Sequence, residues 1–187
     1  MAKTNKQPQI IGISGTFASG KDALAECLER DHGYNHVSLG NMVRKVAKEL
    51  HGSVERPILK QVAENLRYEK GAGALVLEAL KDPRPLVVTG VRTIGEAKAL
   101  QEAGAVILFV DTDIGVRFIR VKTRMRDRET ELTLDEFSKN EEKEMYSGPN
   151  DEDFNIRGVS RLADIHIDSG LPLEDYAQLA YHKLGLV

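Results

Sequence analysis

Three kinds of side chain in this sequence could do chemistry together: a lysine behind glycines, a set of spaced arginines, and a few isolated carboxylates. The lysine ends Gly15-Thr16-Phe17-Ala18-Ser19-Gly20-Lys21, which is glycine, four residues, then Gly-Lys, the pattern of a phosphate-binding loop. Glycines let a backbone wrap round an anion, and the N–H groups at the start of a following helix point at it. Lys21 adds a mobile cation that can follow a phosphoryl group in transit. The seven residues are therefore expected to hold the phosphates of a nucleotide, with Ser19 and Gly20 shaping the loop.

The residue after the lysine departs from the pattern. Where a Ser or Thr usually holds Mg²⁺ through its hydroxyl, this chain has Asp22. Two readings stand equal. Asp22 is a direct or water-mediated Mg²⁺ ligand, since that ion needs only one or two protein carboxylates beside phosphates and waters. Alternatively, it simply favours the positive end of a helix.

The arginines fall where a migrating phosphoryl group would need positive charge. Arg44 lies in the first turn of an expected helix, and Arg92 leaves an expected buried strand. Arg117, Arg120, Arg124 and Arg128 recur at spacings of three and four along one helix face. For Arg117 and Arg128 a solvated charged face is an equal explanation. His32, His36, His51, His166 and His182 show no metal-ligand spacing. Asp151-Glu152-Asp153 could bind a metal but reads better as a solvated loop, and Asp111 and Asp113 read as caps of the arginine helix.

The elements that must position these groups alternate. Apolar strands are expected at Ile10–Ile13, Tyr34–Ser38, Leu86–Thr89, Ala105–Val110 and Ala163–Asp168, with amphipathic helices between them. Asn41 is placed to cap the helix that carries Arg44. Strands alternating with helices imply an α/β fold, a parallel β-sheet with helices on both faces. Such sheets bind ligands at the C-terminal ends of their strands. The phosphate loop, Ser38-Leu39-Gly40, Gly90-Val91-Arg92 and Asp111-Thr112-Asp113 each follow a strand, so all four should meet at one edge.

The 187 residues suit one domain over 9–187, after a polar tail at 1–8 read as flexible. A net charge of −3 argues against bulk nucleic-acid binding. The single cysteine, Cys27, falls on an apolar helix face and cannot form an internal disulfide, which points to a reducing cytoplasm. No apolar run is long enough to span a membrane.

Several segments resemble the P-loop kinases of small phosphorylated substrates. Ser38-Leu39-Gly40-Asn41-Met42-Val43-Arg44 looks like the adenylate-kinase segment Ser-Thr-Gly-Asp-Met-Leu-Arg, whose arginine grips the acceptor phosphate. Thr89-Gly90-Val91-Arg92-Thr93 is similar to that family's Asp-Gly-Phe-Pro-Arg-Thr, one residue shorter here. Arg120 and Arg124 fall at the spacing of the pair that opens the lid. The resemblance implies a kinase using ATP and Mg²⁺, with a nucleotide as its second small-molecule substrate. It implies acceptor contacts from Ser38, Gly40, Arg44, Arg67, Gly90 and Arg92, and catalytic roles for Lys21, Arg92, Arg120 and Arg124. Arg120 would also touch ATP. Helices over 41–80 would hold the acceptor and segment 129–153 would form the lid. Activity as a monomer or homodimer is expected, with no nucleic-acid or membrane partner.

Other segments are similar to an uncharacterised prokaryotic branch related to both nucleoside monophosphate kinases and dephospho-coenzyme A kinases. These are Leu66-Arg67 with Gly71, Val87–Arg92, Leu134-Asp135-Glu136-Phe137 and Ala163-Asp164-Ile165. Dephospho-coenzyme A kinases carry an Asp pair after the second strand. Ser38-Leu39-Gly40 has no carboxylate there, which favours a phosphate acceptor, already an anionic nucleophile, over a sugar hydroxyl that benefits from a base. Related kinases also end the strand before Gly90 in Asp, where this chain has Thr89. One expectation is that carboxylate and hydroxyl have exchanged places around one Mg²⁺, Asp22 standing for the one and Thr89 for the other. Dephospho-coenzyme A kinase is the alternative activity, and a nucleotide-binding regulator the alternative outside catalysis.

Overall fold

The computed structural model describes residues 7–124 and 133–187, and the side chains of all of these except Arg56 and Arg124. Five strands form one sheet: β1 (Ile10–Gly15), β2 (Asn35–Ser38), β3 (Leu86–Val91), β4 (Val106–Asp111) and β5 (Ile165–Asp168). All pairings are parallel and the order is β2-β3-β1-β4-β5. β1 is therefore central, and all six of its residues are buried. A parallel sheet covered on both faces asks for such a continuous apolar strand.

Helices cover the two faces unequally. On one side α1 (Lys21–His32) and α9 (Leu173–Leu184) bury Leu24, Leu28, Tyr176 and Tyr181 against Ile11, Ile13 and Leu108. On the other, α2 (Leu39–His51), α3 (Arg56–Lys70), α4 (Ala74–Ala79), α5 (Ile94–Glu102) and α8 (Ile156–Leu162) pack around Ile10, Leu86, Val88 and Ile107. Cys27 lies inside the α1–α9 layer, 1% exposed. A third, smaller cluster joins α6 (Ile114–Arg124) to α7 (Leu134–Met145), with Phe137 against Ala18, Phe17, Phe118 and Val121.

The strands match the apolar runs to within two residues at each end. β1 and β3 each run two residues further than expected, β3 continuing through Gly90 to Val91. Its register with β1 shifts between Ile13 and Ser14, and Gly90, at φ +86°, absorbs the irregularity. The seven-residue α8 went unseen because it holds too few residues to display a period. The expected arginine helix is described as far as Arg124. Residues 125–132, with Arg128 among them and the start of the expected lid, lie outside the described residues, as do the first six residues of the expected tail.

Candidate active site at the C-terminal edge of the sheet

The loop after β1 is built to present its backbone. Gly15, Ala18 and Gly20 have φ of +153°, +60° and +86°, so positive-φ residues interrupt ordinary ones, the kind of backbone that forms anion-binding nests. A Cβ on Gly15 would overlap the Val110 carbonyl oxygen, so the loop passes too close to β4 for any side chain there. Ser14 Oγ donates to the Val91 carbonyl at 2.7 Å, and Thr16 Oγ1 donates to Asp111 Oδ1 at 2.5 Å. The loop is thereby tied to both neighbouring strands. Lys21, only 9% exposed, curls back so that Nζ donates to the Thr16 carbonyl at 3.3 Å. Ser19 Oγ is buried with no hydrogen-bond partner.

Behind the loop stands a second layer that the sequence reading did not single out. Ser169 Oγ donates to the Ser19 carbonyl at 2.5 Å, and Tyr176 OH donates to the Gly20 carbonyl at 3.2 Å. Burial pushes the Tyr176 hydroxyl up to about 12, so it stays a donor across the physiological range. Arg120 joins this layer. Its Nη1 reaches the Ser19 carbonyl at 3.4 Å and Ser169 Oγ at 3.2 Å, and its Nη2 reaches the Ser169 carbonyl at 2.5 Å. Arg120 thus rests on the phosphate loop.

Arg117 is no solvated face residue. It is 4% exposed, and its Nε donates to the Thr112 carbonyl at 2.9 Å while Nη1 reaches the Phe17 carbonyl at 3.3 Å. Both its Nη atoms bind the Glu141 carboxylate of α7, the Nη2 bond measuring 3.0 Å. Asp113 caps α6 as expected, accepting from Gly115 N at 2.7 Å. Asp111 does not, because Thr16 and the Thr112 amide take its Oδ1.

On the other half of the edge, α2 begins beside Gly90. A Cβ on Gly90 would lie 3.4 Å from Gly40 N, so the two glycine-bearing turns touch. Ser38, not Asn41, is the cap: its Oγ accepts from Asn41 N at 3.4 Å. Asn41 instead holds Arg44, whose Nη1 donates to Asn41 Oδ1 at 2.9 Å. Arg92 packs over the Phe154 ring at 5.6 Å, and its Nη1 lies 3.2 Å from Glu144 Oε2 at the end of α7.

Arg67 sits deeper than the other arginines of this half, 3% exposed, against Glu96 at 0%. Its Nε and Nη2 both donate to Glu96 Oε1, at 2.9 and 2.8 Å. Glu96 Oε2 accepts from the Arg92 amide at 2.8 Å and the Thr93 amide at 3.3 Å. The Arg67 Nη1 is buried without a partner, and its guanidinium lies 5.2 Å from the Phe154 ring centre. Glu96 was the legible member of this group, as Thr93-x-x-Glu96 is a capping-box pattern. Nothing in the sequence shows that the same carboxylate also holds Arg67.

For Mg²⁺, the donor set is sparse. No group of three or more His, Cys, Asp or Glu side chains among the described residues is placed to hold a metal. Asp22 is an exposed carboxylate in the first turn of α1, next to Lys21. One hard-oxygen ligand at the mouth of a phosphate loop suits Mg²⁺ carried mainly by phosphates and waters. Thr89 is fully buried and its Oγ1 lies 3.0 Å from His36 Nε2, so that hydroxyl already has a partner. The side chain of Arg124 lies outside what is described.

A family model described as an AAA domain matches residues 11–146. The UPF0200 protein of Pyrobaculum aerophilum is 34% identical over 122 residues, 63% of this chain and 67% of that relative. The chain belongs to the AAA domain family and to the UPF0200 proteins. A UPF0200 protein of Aeropyrum pernix is 30% identical over 139 residues, 72% of each chain. Among solved structures, this UPF0200 chain is similar to a shikimate kinase from Bacteroides thetaiotaomicron, with TM-score 0.66 and 12% identity over 95% of this chain and 98% of that one. A gluconokinase from Sinorhizobium meliloti gives TM-score 0.54 and 15% identity, over 97% and 94%. The UPF0200 chain therefore has the P-loop kinase fold, a parallel sheet with helices on both faces. No described helix is long and apolar enough to cross a membrane.

Proposed function

We propose that this chain is an ATP-dependent phosphotransferase that moves the γ-phosphoryl of ATP to a small phosphorylated acceptor, a nucleoside or deoxynucleoside monophosphate. One observation carries the reading. The phosphate loop, the turn that carries Arg92 and the start of the helix that carries Arg44 meet at a single sheet edge, with Gly90 against Gly40 and Ser14 bonded to Val91.

In this reading the loop N–H groups and Lys21 hold the donor phosphates, while Arg120 lies against the loop to balance charge in transit. When bound beside Asp22, Mg²⁺ supplies charge neutralisation at the donor phosphates. Ser38, Gly40, Gly90, Arg44 and Arg92 receive the acceptor, with Arg67 beneath them. The Ser38-Leu39-Gly40 turn presents no carboxylate base, and a phosphate acceptor needs none. Helix α7 shields the site from water. We place the protein in the cytoplasm, working as a monomer or homodimer on nucleotides, without nucleic acid or membrane.

The test is ADP production from ATP and Mg²⁺ against a panel of nucleoside monophosphates, deoxynucleoside monophosphates and dephospho-coenzyme A. Strong stimulation by one monophosphate is expected. Stimulation by dephospho-coenzyme A alone would replace the acceptor, and tight ATP binding with no stimulation would make the chain a nucleotide-binding regulator.

A further inference from the structure

Helix α7 touches both halves of the site. At its start Phe137, 2% exposed, packs against Phe17 of the phosphate loop with ring centres 5.7 Å apart. One turn on, Glu141 binds Arg117, which itself donates to the Phe17 carbonyl. At its end Glu144 reaches Arg92, the arginine read above as an acceptor ligand, at 3.2 Å. Both partners of this last pair are partly open, 32% and 24% exposed, unlike the more enclosed Arg117–Glu141 pair at 5% and 12%. Just beyond α7, Ser147 N donates to the Phe154 carbonyl at 2.7 Å, and Arg92 lies over the Phe154 ring. The carboxylate is therefore delivered to Arg92 by a helix braced on both sides.

We infer that Glu144 is a specificity-determining residue: its carboxylate occupies the anion position of Arg92, so that only an acceptor group out-competing a carboxylate, a phosphate dianion, takes that position. The inference rests on the acceptor-side reading of Arg92. A monoanionic carboxylate ligand would gain no more from Arg92 than Glu144 already provides, and Glu144 is present at the high effective concentration of a tethered group. A phosphate brings more charge and three oxygens, and bidentate geometry on a guanidinium. Displacing Glu144 removes the ionic tie at the last turn of α7 while Phe137 keeps the first turn docked.

Hydrogen exchange of the full chain, read on peptides covering 140–146, tests this without any turnover. Inorganic phosphate should speed exchange there in the wild type, and acetate at matched ionic strength should not. Glu144→Gln should start with the faster exchange and bind phosphate about two- to fivefold more tightly, the scale of a partly exposed ion pair. Arg92→Gln should abolish the phosphate response at α7 even though phosphate still reaches the loop around Lys21. Equal responses to phosphate and acetate, no response to phosphate, or a Glu144→Gln protein identical to wild type would each overturn the inference. A chain that fails the ADP panel yet shows this response loses the kinase reading and keeps the anion competition.

Discussion

The buried Arg67–Glu96 pair makes a quantitative demand. Replacing Glu96 with Gln keeps the shape and removes the charge, leaving the Arg67 guanidinium 3% exposed without its counter-ion. Two of its donors, at 2.9 and 2.8 Å, lose a charged acceptor, and its Nη1 already lacks a partner, so no compensating bond is in place. Breaking a buried pair in this way costs about 3–5 kcal/mol. For a chain of this size, at roughly 2–4 °C per kcal/mol, that lowers Tm by about 6–20 °C. Urea unfolding measures the loss as a fall in midpoint at unchanged slope. The double variant Arg67→Met with Glu96→Gln removes the stranded charge, while the substituted side-chain amide oxygen can still accept from the Arg92 amide. It should therefore be more stable than Glu96→Gln alone, by about 2 kcal/mol. A loss below about 1 kcal/mol in Glu96→Gln, or single effects that simply add, would refute the account.

Three further outcomes follow from the same geometry. Lys21→Met should lower acceptor-stimulated ATP turnover about a hundred- to thousandfold, the scale of one preorganised donor, while the urea midpoint barely moves; a tenfold loss or less would count against its role. If Asp22 holds Mg²⁺, then Asp22→Ala should raise the Mg²⁺ concentration needed for half-maximal turnover at least severalfold; an unchanged Mg²⁺ dependence would leave Asp22 as a helix-end charge only. Hydrogen bonds from Arg30 and Tyr181 hold the Asp31 carboxyl at about 2, below its ordinary range, so its ionised form favours the fold. That contribution is complete above about pH 4 and is lost as pH falls toward 2, so Tm of the wild type should drop more steeply there than Tm of Asp31→Asn. Parallel curves would sink this.

The middle of the sheet was legible because β1, β3 and β4 are buried on both faces and read as continuous apolar runs, such as Ile10–Ile13 and Val106–Val110. The phosphate loop was legible because its glycines answer a backbone requirement that shows in residue type. Depth was not legible. Arg117 and Arg120 look alike in the helical pattern. Yet Arg117 is committed to Glu141 and to loop carbonyls, while Arg120 lies on the loop with Ser169. Arg44 and Arg67 both entered as acceptor contacts, but Arg44 is exposed on α2 and Arg67 lies in the core against Glu96. The burial of Arg117 and Arg67 depends on partners 24 and 29 residues away, Glu141 and Glu96, which local periodicity does not carry. The same holds for Ser169 and Tyr176, which reach the loop across 150 and 156 positions.

The distribution of fixed and open charge at this edge has a consequence for how the halves work together. The phosphate loop is braced by its own neighbours: Thr16 by Asp111, Gly20 by Tyr176, and Phe17 by Arg117 and Phe137. On the other half of the edge Arg44 is exposed on its own helix and Arg92 is partly open under Glu144. Ordering a ligand against braced groups loses little conformational entropy, whereas Arg92 must first exchange one anion for another. Glu144 and Phe137 stand on one helix, which therefore touches both Arg92 and the wall of the phosphate loop. On the proposed reading, acceptor binding should therefore be more sensitive to substitution of Glu144 than nucleotide binding is, because Phe137 keeps the first turn of α7 docked on the loop.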